Sequence, residues 1–299
     1  MAGVARLEDS FGQPEGDWLA GLLVGDDSGI SPAWQDVFRT TGTSHLSAVS
    51  GENLAYVLLA IGPLGEALFF DRRARLLLSV VAVMCFALLT GLPTSILRAA
   101  LMFYAGELAM RAFGRPVSRL RALLVTAMII VAWDPLVLAF DRGFQLSALA
   151  VFGIAAFAEP LAETAFKKLH PKLRAWAAAT SAATLTTAPL IALMSGAYPL
   201  VSLPANLIVM PMVGPLSALA LLGVVLAWSW APFGRALGFA TAPLVSLPLW
   251  TLQKIAALPF AKLTGVAATV ALAVTTAIAL TLALLWRKRE GERRFLSDS

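Results

Sequence analysis

The chain has 299 residues, 59% of them apolar and 14% charged, with a mean hydropathy of +0.78 and a formal net charge of +5. This composition excludes a disordered chain and an ordinary water-soluble enzyme, and it implies an integral membrane protein. A single cysteine and two histidines exclude a disulfide framework and a structural zinc site. Cys85, inside Val83-Met-Cys-Phe-Ala87, reads as a small buried hydrophobe.

Residues 1–44 form the first predicted unit, an extracytoplasmic N-terminal segment. They carry Glu8, Asp9, Glu15, Asp17, Asp26, Asp27 and Asp36 against Arg6 and Arg39. Trp18 to Val24 is expected as a short interfacial helix. The start lacks a basic stretch followed by an apolar one, so it reads as a short exported tail without a signal peptide, or as a sign of a truncated gene or an upstream start.

The next element is the most informative. Thr41-Gly-Thr-Ser-His-Leu-Ser-Ala-Val-Ser-Gly-Glu-Asn53 leads directly into the apolar stretch Leu54–Ile61. Bilayer hydrocarbon cannot hydrogen-bond hydroxyls, a His and a Glu, and Gly42 and Gly51 suit a helix that starts late or breaks. Broken polar segments of this kind mark transport pathways. Ser44, His45, Ser47, Ser50, Gly51, Glu52 and Asn53 are therefore pathway candidates. The alternative is a Ser–His nucleophile pair. No oxyanion hole or orienting carboxylate accompanies it beyond Glu52, so hydroxyls and imidazole are expected to satisfy backbone freed by the break.

The whole chain is predicted to be all-α and polytopic, with about 8–9 transmembrane or re-entrant helices, several of them broken. Hydrophobic segments fall near 45–61, 76–92, 93–110, 122–140, 143–160, 175–195, 201–230, 236–253 and 263–286. Ala175 to Gly234 is a 60-residue run without Asp, Glu, Lys or Arg, and Leu263 to Trp286 is a 24-residue one. If the C-terminus is cytoplasmic, the inner loops 71–75, 111–121, 161–174 and 231–235 and the tail hold 17 basic residues, against 5 in the outer segments. This places the N-terminus outside. The units are then 1–44, a membrane domain 45–286 and a basic cytoplasmic tail 287–299.

Segment 93–110 carries Arg98 and Glu107 and is expected to be interior or re-entrant. Arg98 is either a phosphate contact, through its bidentate fork, or half of an ion pair with Glu52, Glu107 or Asp134. Asp134, before Pro135, is expected where a helix stops. Gln145, Ser147 and Asn206 are further intramembrane polar groups. The Thr/Ser-rich run 180–187 reads as a close-packing face. Pro199, Pro204, Pro211 and Pro215 argue against one regular helix and for a broken element over 203–211.

Four of these motifs, in order, resemble the ComEC family. Thr41–Asn53 is similar to the signature opening its competence domain, and Gly91-Leu-Pro-Thr-Ser-Ile-Leu-Arg-Ala-Ala-Leu-Met102 to its "G-PPS-LRA-LM" element. Asp134-Pro-Leu136 with Gly143-Phe-Gln-Leu-Ser147, and Ala188-Pro189 with Pro204-Ala-Asn-Leu207 and Pro211, match its later motifs. The resemblance covers the membrane core only. It implies a DNA internalisation channel of natural transformation in the bacterial cytoplasmic membrane.

The partners it implies are single-stranded DNA, the lipid bilayer, a cytoplasmic DNA-translocating ATPase and an external DNA receptor; a homo-oligomer is allowed. It implies no enzyme activity, catalytic residue, cofactor or metal in this region. Relatives commonly add an OB-like domain before it and a metallo-β-lactamase-like domain after it. Here 44 residues precede the predicted membrane domain, and no His-x-His-x-Asp-His motif occurs. Glu52-Asn53 replaces the less polar pair of many relatives. The alternatives are a small-solute transporter and a truncated homologue without independent activity.

Overall fold

The architecture comes from a computed structural model that describes residues 9–47, 51–229, 231–278 and 281, leaving aside the side chains of 52, 60, 64, 119, 224–229 and 231. It is all-α, as expected; among the described residues the only strand-type pairing is an isolated bridge between Tyr198 and Leu263. Two short helices come first, α1 (Glu15–Val24) and α2 (Pro32–Thr40), followed by a single 3-10 turn, Ser44–Ser47. The bundle then runs α3 (Gly51–Ala67), α4 (Arg72–Leu89), α5 (Thr94–Phe113), α6 (Arg119–Trp133), the one-turn α7 (Val137–Phe140), α8 (Arg142–Glu163), α9 (Pro171–Ser195), α10 (Ser202–Ser229), α11 (Ala231–Ala256) and α12 (Gly265–Ile278).

Local chemistry fixes the starts. Ser31, Asp71, Ser118 and Asp141 each cap the helix that follows, accepting from Trp34, Ala74, Arg121 and Phe144 N–H respectively. Asp134 and Pro135 stop α6, so the predicted 122–140 segment divides into α6 and α7. Among the described residues three helices are long and apolar enough to cross a membrane: Arg142–Glu163, Pro171–Ser195 and Ser202–Gly223. Around them Leu77, Val81, Met84, Leu88, Met128, Trp133 and Phe239 are exposed, an apolar coat that suits lipid. Cys85 belongs to that coat on α4 rather than to the interior, a correction to its expected burial.

Two further expectations are corrected. The Pro-rich stretch is not broken: α10 runs unbroken from Ser202 to Ser229. Pro204 falls in the first turn, where an amide would lack a partner anyway. Pro211 and Pro215, four residues apart, share one exposed face, so their rings point away from the packed side. Each removes one amide donor from the helix ladder, yet α10 stays helical through both.

The second correction concerns residues 1–44. Trp18–Val24 is helical, as expected, but α1 is covered by protein rather than lying open on a surface. Trp18, Leu19 and Leu22 are buried against Ala205, Val209, Val213 and Leu216 of α10 and Val245, Leu249 and Leu252 of α11. Contacts follow α11 along its length: Asp9 pairs with Arg235 at 2.9 Å, and Ser246 Oγ donates to Glu15 at 2.6 Å. The predicted outer segment therefore meets the predicted inner loop 231–235. Despite the seven acids of the segment, α1 is buried over Gly16–Leu22.

Helices α8 and α9 pack most closely of any pair. A Cβ at Gly153 would fall 2.6 Å from the Ala182 carbonyl oxygen and against Thr186 Oγ1. Thr186 Oγ1 donates across the helix pair to Leu149 O at 2.9 Å, and Ala156, Phe157 and Ala182 fill the seam. The small-residue face thus serves close packing. Thr186→Val should lower stability by about 1 kcal/mol, the scale of one interhelical hydrogen bond between membrane helices; thermal unfolding in detergent measures it, and an unchanged midpoint would refute the role.

Candidate functional site

The signature opens where α2 ends. Thr41 Oγ1 donates to Val37 O at 2.8 Å and lies 2.7 Å from Thr43 Oγ1, both threonines being fully buried. Gly42 takes a left-handed φ of +65°, and the chain folds back with Thr43 N donating to Phe38 O at 2.8 Å. A Cβ at Gly42 would stand 2.5 Å from Ser202 Oγ, so the glycine lets the signature touch the start of α10. The turn that follows exposes Ser44 and His45 and buries Leu46, whose carbonyl accepts from Trp18 Nε1 at 3.0 Å. Ser47 Oγ donates to Ser44 O at 2.8 Å. Ser50 lies outside the described residues, as does the side chain of Glu52.

α3 resumes at Gly51. A Cβ there would fall 2.9 Å from Ala99 Cβ and 3.4 Å from Ser95 O, so the second glycine lets α3 approach α5. Leu54, Ile96 and Ala100 seal this contact with Val83 and Ala87 of α4. Asn53 is buried, with Nδ2 donating to Leu22 O while Oδ1 has no partner.

Arg98 faces inward on α5, 2% exposed, and among the described residues its Nη1 has no hydrogen-bond partner. None of the three predicted acids neutralises it within what is described: Glu107 pairs with Arg111 at 3.6 Å, Asp134 accepts from Leu136 N at 3.0 Å, and Glu52 falls outside. The acid whose charge acts on the guanidinium is Asp141. Thr94, one turn before Arg98, donates to Asp141 Oδ2 at 2.6 Å, while Asp141 Oδ1 accepts from Phe144 N at 2.8 Å. Sequence reasoning missed Asp141. Its signal was an Asp just before the apolar run of α8, the position of an N-cap.

The remaining candidates divide. Gln145 Nε2 donates to Leu138 O at 2.8 Å and Ala139 O at 3.1 Å, bracing α7 on α8. Ser147 is half-buried on α8. Asn206 is buried; Nδ2 donates to Ser202 O at 2.9 Å and Ser202 Oγ at 3.2 Å, and Oδ1 has no partner. Three links thus tie the first two motifs to the starts of α8 and α10: Gly42 with Ser202, Gly51 with Ser95 and Ala99, and Thr94 with Asp141. They collect the N-termini of α3, α5, α8 and α10 at one end of the bundle. Such termini carry partial positive charge and unpaired N–H groups, which favour anions.

An all-α chain with apolar helices of membrane-crossing length, and with buried polar groups gathered at one helix end, has the character of a membrane protein. The chain belongs to the competence protein family, whose family model matches residues 22–290. It is similar to ComE operon protein 3 of Bacillus subtilis (strain 168), 25% identical over 193 residues, which is 64% of this chain and 24% of that relative. The matched region is thus about a quarter of the length of that curated relative. No solved structure matches.

Proposed function

We propose that this bundle passes single-stranded DNA inward across the bacterial cytoplasmic membrane during natural competence, as a channel and not as an enzyme. The observation that carries the reading is Arg98, buried with an unpartnered Nη1, beside four helix N-termini brought together by the family motifs. A guanidinium with free donors and convergent N–H groups offers a polyanion phosphate contacts at one mouth. The buried amide oxygens of Asn53 and Asn206 add acceptors for a wet path or for bases.

About eight or nine segments cross or re-enter the membrane, with the basic loops and C-terminus cytoplasmic and the signature mouth outside. On this reading α1 runs along α11 within the membrane, which accounts for the Asp9–Arg235 pair. No Gly-x-x-x-x-Gly-Lys-Ser/Thr loop occurs in the sequence, so motive force comes from a cytoplasmic translocating ATPase or the membrane potential. An external receptor delivers the strand.

A deletion in a competent host tests the reading. Labelled external DNA should stay nuclease-sensitive at the surface and give no transformants, while DNA introduced by electroporation recombines normally. Equal loss by both routes, or unchanged uptake, would reject the channel.

A further inference from the structure

The N-terminal segment contains a cavity that this transport reading does not use. It measures about 260 Å³ and lies between α1, α2 and α11, with walls that include Gln13, Asp17, Trp18, Trp34, Phe38 and Leu249. That is just under the roughly 300 Å³ at which pockets for drug-sized ligands begin, so any occupant is small. The cavity opens past Gln13, Gly29 and Ser31, all exposed.

Its chemistry is selective. Asp17 is 6% exposed, and among the described residues no Lys, Arg or His stands within ion-pair distance of it. Its hydrogen-bond donor is Gln13 Nε2, at a long 3.5 Å. Other acids of the segment are engaged elsewhere: Asp9 with Arg235, Glu15 with Ser246, Asp36 with Lys262. Asp26 is held by the Ser28 hydroxyl at 2.5 Å and the Ser28 N–H, which keep its carboxyl below the usual range. A carboxylate this buried is costly without a counter-ion, and its place in the first turn of α1 offsets only part of that.

Beside the carboxylate stand aromatic faces. The Trp34 and Phe38 ring centroids are 6.1 Å apart, and the Trp18 indole is fixed by its bond to Leu46 O. Gly29 keeps the approach clear, since a Cβ there would fall 2.9 Å from Asp17 Oδ1. A buried carboxylate framed by Trp and Phe in an acidic segment attracts cations and rejects anions.

We propose that this cavity binds a small organic cation with a primary ammonium head, Asp17 serving as counter-ion, Gln13 Oε1 as a second acceptor, and Trp34 and Phe38 as the aromatic wall. Three probes of nearly equal size separate charge from apolar filling: n-butylammonium, n-butanol and butyrate, titrated calorimetrically into the purified full chain in detergent. Butylammonium should bind saturably and the other two should not. Asp17→Asn should weaken binding about thirtyfold or more, as loss of one half of a buried charge pair does. Trp34→Leu, at a half-buried position, should weaken it about fivefold to thirtyfold, and Asp26→Asn should leave it unchanged. Absence of saturable binding to the folded protein, or equal binding of n-butanol, would overturn the site. Unchanged binding by folded Asp17→Asn would do the same. Should that variant fail to fold, Trp34→Leu and the butanol comparison decide.

Discussion

Arg98→Glu is expected to reduce transformation by about a hundredfold or more, matching about 3 kcal/mol or more for a buried charge set against another carboxylate. The side chain is 2% exposed and the acid acting on it is Asp141, so the change puts two negative groups in one water-poor place. Membrane level and protease resistance must match the parent for the result to bear on transport. Arg98→Lys keeps the charge but loses the planar fork, and should retain part of the activity. Asp141→Asn keeps an N-cap side chain while removing charge, which allows a double-mutant cycle with Arg98→Gln. Coupling between the two would show that Asp141 positions Arg98; full transformation by a stably inserted Arg98→Glu would end the phosphate-contact role.

Gly42→Val should be the most damaging change in the signature. At φ +65° a β-branched residue is strained by about 1–2 kcal/mol, and its Cβ would overlap Ser202, adding an overpacking cost of about 1–3 kcal/mol. Gly42→Asn tolerates the left-handed backbone better and should be milder. Ser202→Gly combined with Gly42→Val should recover part of the loss by removing the overlap, although Asn206 loses one of its partners. Thermal unfolding of the detergent-solubilised variants gives the order. If the double variant is no better than Gly42→Val alone, the contact between signature and α10 is not what makes the glycine necessary.

Much of the arrangement was legible because the physics is local. A string of hydroxyls between two glycines announces an interrupted helix, and α2, the turn and α3 interrupt there. Asp134-Pro135 announces a stop, and α6 stops. Prolines misled because their count carries less than their phase: two four apart on an exposed face leave α10 whole, whereas the count alone suggested a break. Charge misled in residues 1–44, where Glu15 and Asp17, the acids of α1, themselves turn inward beside Trp18, Leu19 and Leu22. Long-range pairing was the least visible part. Nothing near Arg98 in sequence names Asp141, which is 43 residues further along; only the crossing of α5 and α8 brings them together.

The polar ties of α1 to α11 span 226 residues for Asp9–Arg235 and 231 for Glu15–Ser246. A ribosome adding about 5–20 residues per second needs roughly 10–50 seconds to produce the later partner. During that wait the tryptophan-bearing stripe of α1 has no α10 or α11 to cover it. α1 therefore docks only after α10 and α11 have been made, and a nascent chain stalled before α11 would present that stripe to the insertion machinery.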